Sequence, residues 1–104
     1  MKLSISYRHL ESSPALEEHI TSKVEHLNKY LHENFDAHWV CAVDGHIHKS
    51  DVNVSSNLGV FHASASDKNM YKTPDQCIAK IEKQIAKKNE IAKNHVAASL
   101  PLAQ

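Results

Sequence analysis

Apolar and polar residues alternate along the first eight positions: Leu3, Ile5 and Tyr7 are separated by Lys2, Ser4, Ser6 and Arg8. A period of two places the apolar side chains on one face and predicts a half-buried strand over about 2–8. The period then changes. Leu16, Ile20, Val24, Leu27 and Leu31 follow one another at steps of 4, 4, 3 and 4 residues, which is one stripe along a helix. Ser13 before Pro14 marks its start, because the hydroxyl can cap a free N–H and proline's missing N–H costs nothing in the first turn. Glu17 and Glu18 suit the positive end of the helix dipole. The spacing predicts a helix from Pro14 to about His32.

Alternation returns over 36–44, with Ala37, Trp39, Cys41 and Val43 on one face. The stretch from Asp44 to Lys49 has the composition of a hairpin loop, Val52 and Val54 belong to the next strand, and Ser56-Asn57-Leu58-Gly59 reads as a second turn. Phe61, Ala63 and Ala65 mark a further strand, and Ile78, Ile81 and Ile85 a final helix with Ala92 near its end. Two signals mark where that helix begins. Asn69 can cap a turn from Met70, and Thr73-Pro74-Asp75-Gln76 has a capping-box arrangement, so a short turn followed by a restart at Pro74 is expected. The order β-α-β-β-β-α predicts an α+β fold of two layers, with two helices on one face of a four-stranded, mainly antiparallel sheet. Lys2, Ser4, Ser6, Arg8, His38, Asp44, Asn53, His62 and Ser64 are expected on the open face.

Composition narrows the class. A chain of 104 residues with 41% hydrophobic and 23% charged residues suits one folded domain. No apolar run approaches a membrane span and the N-terminus has no signal-peptide core, which makes the cytoplasm the expected location. Cys41 and Cys77 are expected as core thiols. The net charge of zero conceals an asymmetry: residues 1–67 carry five basic and nine acidic side chains, whereas 68–104 carry seven lysines against Asp75, Glu82 and Glu90. A basic C-terminal third points toward a polyanion such as nucleic acid.

Lys80, Lys83 and Lys87 fall within roughly 60° of arc on the last helix, displaced from Ile81, and Lys88 and Lys72 widen the stripe. Ammonium groups repeated along a helix can replace counterions on a phosphate backbone without base-specific geometry; a solvated helix face is the plainer reading of the same stripe. Nine histidines, including His46 and His48 near Asp44 and Asp51, raise the alternative of a histidine-dependent metal-binding protein, but the spacings of His19, His26 and His32 match no zinc-binding helix. No residues form a nucleophile motif or a phosphate-cradling glycine loop, so no catalytic residues, metal or cofactor are expected. A free double-stranded RNA-binding module is the other alternative.

Several segments, in this order, resemble the ribosome hibernation factors, a family that includes the short hibernation-promoting factors and the ribosome-associated inhibitor protein Y. They are Lys2-Leu3-Ser4-Ile5-Ser6, Ser13-Pro14-Ala15-Leu16 running into Lys23-Val24-Glu25-His26-Leu27-Asn28-Lys29-Tyr30, Phe61-His62-Ala63-Ser64-Ala65-Ser66, and Asn69-Met70-Tyr71 followed by Lys80-Ile81-Glu82-Lys83-Gln84-Ile85. The resemblance implies a fold like a double-stranded RNA-binding domain over residues 1–93, with 94–104 a short flexible tail. It implies docking in the small ribosomal subunit across the mRNA and tRNA channel, inhibition of translation by occupancy, and a possible part in pairing ribosomes. Its partners would be the small subunit and its rRNA, with no membrane and no small-molecule substrate. The rRNA-binding residues it implies are Lys23, His26, Lys29, Lys80, Lys83, Lys87 and Lys88, with His26 standing where the family usually has lysine. The stretch from Asn94 to Gln104 has no acidic run, which resembles the short promoting factors more than protein Y.

Overall fold

The computed structural model describes residues 1–99, with side-chain surroundings through Lys88. Four strands, β1 (Lys2–Arg8), β2 (Phe35–Asp44), β3 (Ile47–Ser56) and β4 (Gly59–Asp67), form one sheet in the order β1-β2-β3-β4. The two short connections make β2, β3 and β4 successively antiparallel, whereas β1 lies parallel to β2. A parallel pair needs a crossover. It is built from α1 (Pro14–Val24), a 3-10 turn (Glu25–Leu27) and α2 (Asn28–Leu31).

The register stacks the core-facing residues, all apolar or aromatic except Ser50, into rows across the sheet. Leu3, Ala37, Val54 and Phe61 make one row; Ile5, Trp39, Val52 and Ala63 the next; Tyr7, Cys41, Ser50 and Ala65 a third. The helical stripe Leu16, Ile20, Val24, Leu27 and Leu31 and, on α3 (Thr73–Ser99), Cys77, Ile78, Ile81 and Ile85 close over these rows as the buried core. Both helices therefore cover one sheet face, as the sequence pattern predicts.

Four local expectations are corrected. The first helix reaches Leu31 but is not uniform: its single three-residue step, Val24 to Leu27, coincides with the 3-10 turn, whose three residues per turn keep both side chains on the core side. His32 then ends the run in the left-handed region at φ 51°. The first hairpin turn is only Gly45-His46, and His48 and Lys49 lie inside β3. Thr73 and Gln76 form no capping box. Thr73 is already helical, and its hydroxyl donates to Met70 O at 2.7 Å and lies 2.7 Å from Ser50 Oγ, while Gln76 Nε2 donates to Asp67 Oδ2 at 3.2 Å. The expected short turn before Pro74 is a 3-10 turn, Met70–Lys72, capped by Asn69, whose Oδ1 accepts from Tyr71 N at 3.0 Å. Lastly, α3 continues past Ala92 to Ser99; residues 100–104 lie outside the described residues.

Ser13 caps α1 as expected, its Oγ accepting from Leu16 N at 3.3 Å. Cys41 and Cys77 are free and buried. Burial pushes the Cys41 thiol up to about 11 and the Cys77 thiol up to about 12, so neither is a ready nucleophile at neutral pH. Among the described residues no helix is long and apolar enough to cross a membrane.

Candidate nucleic-acid interface

Helix α3 presents three distinct sides besides the one on the sheet, and the lysines divide among them. Toward α1 it shows acids. Asp75 Oδ1 lies 3.4 Å from Lys23 Nζ and 3.2 Å from His19 Nε2, and Glu82 Oε2 lies 3.9 Å from Lys29 Nζ. The pairs advance together along both helices, so α1, α2 and α3 run in the same direction and match base to acid along the groove. His19 Nε2 is also 3.0 Å from Tyr71 O. Both neighbours are acceptors, which places a proton on that nitrogen. Tyr71 packs edge-on against the His19 ring, with centroids 5.5 Å apart, and the Lys29 ammonium sits 5.3 Å from the Tyr30 ring centroid.

Toward β4, α3 shows donors that reach the strand. Lys80 Nζ donates to Ser64 O at 2.6 Å and Gln84 Nε2 to His62 O at 2.7 Å. Lys88 Nζ lies 5.9 Å from the Phe61 ring centroid, within cation–π range, and it fills the space beside Gly59, where a Cβ would come within 2.5 Å of it.

Lys83 and Lys87, one turn apart and exposed, form the outer crest of α3, with Lys87 bordering the β4 side beside Val60, Phe61, Gln84 and Lys88. Among the described residues neither makes an ion pair or a hydrogen bond. His26 is exposed in the 3-10 turn and is likewise without an ion pair there. The predicted stripe of Lys80, Lys83 and Lys87 is thus displaced from the core as expected, but among the described residues only two of its three ammonium groups are uncommitted. Lys72 belongs to the preceding 3-10 turn and not to α3.

The open sheet face carries the predicted polar residues and, between them, Val40, Ala42 and Val60, the last 71% exposed. Ser4 Oγ and His38 Nδ1 are 2.7 Å apart, and His62 Nε2 lies 3.0 Å from Asp51 Oδ1. Among the described residues no three His, Cys, Asp or Glu side chains gather where they could hold a metal ion. The lysine reading missed the acids opposite Lys23 and Lys29, although the spacing of Asp75 and Glu82 along α3 nearly repeats that of Lys23 and Lys29. It missed Gln84, which carries no charge to attract notice.

Residues 3–93 match the family described as Sigma 54 modulation protein / S30EA ribosomal protein. The chain belongs to that family. Relatives in the S30EA family include the Ribosome hibernation promoting factor of Escherichia coli K12, 33% identical over 95 residues that span 91% of this chain and 100% of the relative. The Ribosome-associated factor Y of Haemophilus influenzae is 26% identical over 87 residues, covering 84% of this chain and 81% of that one. Among solved structures, a ribosomal subunit interface protein from Coxiella burnetii superposes with a TM-score of 0.80 at 26% identity, over 86% of this chain and 99% of that one. The N-terminal domain of Thermus thermophilus Protein Y shares the fold, with a TM-score of 0.75 at 20% identity over 82% and 96% of the two chains. The four-stranded sheet with helices on one face is therefore a fold that this chain shares with those solved structures.

Proposed function

We propose that this chain silences ribosomes by occupancy, seating its helix layer on small-subunit rRNA so that the folded domain blocks the channel used by mRNA and tRNA. A role in ribosome hibernation comes with its S30EA relatives, one of which is named a ribosome hibernation promoting factor over its whole length. A ribosome-bound factor works where ribosomes are, in the cytoplasm, and the mechanism calls for steric exclusion, not chemistry. The observation that carries the finer reading is the pair Lys83 and Lys87, two exposed ammonium groups one turn apart with no protein partner among the described residues. Such groups bind phosphates by releasing condensed counterions, and A-form RNA is read largely by shape and backbone.

The remaining basic residues contribute at a cost. Lys23 and Lys29 must share their charge with Asp75 and Glu82, and Lys80 must leave Ser64 O. His26 adds a ring on the α1 side of the same layer. Binding therefore rests first on the α3 crest and only secondarily on the groove.

The test is co-sedimentation of the purified protein with isolated small subunits, repeated with mRNA and initiator tRNA already bound. Free subunits should carry the protein down and loaded ones should exclude it. Equal retention on both, or binding to isolated RNA duplexes as tight as to subunits, would overturn the channel reading.

A further inference from the structure

Strand β4 ends the sheet, so on one side its backbone has no strand partner among the described residues. In an antiparallel strand the N–H and C=O groups of alternate residues point away from the neighbour, and a bare edge of that kind is a template for pairing with another strand. Proteins usually guard such edges with proline, a bulge or a charged side chain on the strand itself. β4 carries none of these over Gly59–Ser66: it reads Gly-Val-Phe-His-Ala-Ser-Ala-Ser, with its single carboxylate, Asp67, at the far end. The opposite edge, β1, has Lys2 and Arg8.

What covers β4 comes from α3. Lys80 and Gln84, four residues apart, donate to the carbonyls of Ser64 and His62, two residues apart on the strand. Four helical residues advance about 6 Å and two strand residues about 6.8 Å, so helix and strand running in opposite directions bring donor and acceptor opposite each other twice in succession. Lys88, four residues further on, sits over Phe61 and against Gly59 at the start of the strand. We propose that Lys80 and Gln84 seal the open edge of the sheet and so keep two copies of this chain from pairing through β4.

A second copy is the occupant that the edge fits. An antiparallel β4–β4 pair is self-complementary under two-fold symmetry. The open-face side chains that would meet across it, Val60, His62, Ser64 and Ser66, carry no carboxylate, lysine or arginine to repel a copy of themselves.

The experiment replaces both donors while keeping aliphatic stems, in a Lys80→Met, Gln84→Met double variant, and measures mass by sedimentation velocity beside the wild type. The wild type should remain at the monomer mass of 11.7 kDa while the variant shows a doubling of mass with an unchanged circular dichroism spectrum. Adding Ser64→Lys to the variant places like charges across the two-fold and should return it to monomer. A double variant that stays monomeric would overturn the proposal. So would self-association that Ser64→Lys leaves untouched, because it would then arise elsewhere than at β4.

Discussion

Lys23 on α1 and Lys87 on α3 are the same residue type on helices of one layer, yet they offer a polyanion different things. Lys23 is 28% exposed and lies 3.4 Å from the Asp75 carboxylate; Lys87 stands exposed on the crest of α3 with no protein partner among the described residues. A partly exposed ion pair contributes little to stability, about 0–1 kcal/mol, but the carboxylate offsets part of the positive field that the lysine presents outward. Lys80 shows a third condition: among the described residues it has no acid partner but is held by a strand carbonyl at 2.6 Å. Counting lysines therefore overstates the basic surface, and their partners decide which of them are available.

The sharpest way to separate the sides of α3 is by stability. Ile81→Ala, on the sheet side, should cost about 2–5 kcal/mol in chemical denaturation, whereas Lys83→Ala on the crest should stay within about 0.5 kcal/mol. Equal costs would mean that the crest is packed and not free. On the β4 side, Gly59 holds φ 125° with Lys88 in the space a side chain would need. Gly59→Ala should lower stability by about 1–3 kcal/mol, and unchanged denaturation would show that Lys88 swings away at no cost.

The α1 side can be tested by releasing its lysine. Asp75→Asn removes the carboxylate shared by Lys23 and His19, so small-subunit affinity should rise. If Lys23 then gains one phosphate contact, the gain at 0.1 M salt is about 5- to 8-fold. His26→Lys should give a gain of the same order. Loss of affinity in Asp75→Asn would show that the groove needs its acid more than its free base.

The smallest effect expected concerns acid. The Asn69 N–H, with Gln76 assisting, holds the Asp67 carboxyl below the usual carboxylate range. A depressed folded-state value adds stability that is present above the unfolded value of about 3.9 and is lost as pH falls through the lower folded one. Denaturation from pH 6 to pH 3 should show this loss in the wild type and a shallower slope in Asp67→Asn; parallel curves would contradict it.

The layers and the open face were legible because the periods change cleanly: Leu3, Ile5 and Tyr7 alternate while Leu16, Ile20 and Val24 step by four, and each pattern buries one face. The turn start at Asn69 was legible from its cap residue, but the role of Thr73 was not: its hydroxyl serves Met70 O and Ser50 Oγ, and Ser50 lies 23 residues away on β3. The lysine stripe was visible as an exposed arc for the same periodic reason. Its division was not, because local spacing cannot show that β4 runs beside Lys80 and Gln84 or that α1 brings Lys23 to Asp75. Those are contacts of topology.

The most direct test of the crest as the ribosome-facing surface is small-subunit affinity across a salt series for the wild type, Lys83→Gln with Lys87→Gln, and Lys80→Gln. Removing two phosphate contacts should flatten the log–log salt slope by about 1.4–1.8 and weaken binding about 25- to 60-fold at 0.1 M salt, while Lys80→Gln, whose ammonium is already engaged by Ser64 O, should change the slope far less. An unchanged slope in the crest double variant, with its fold intact by circular dichroism, would contradict the account.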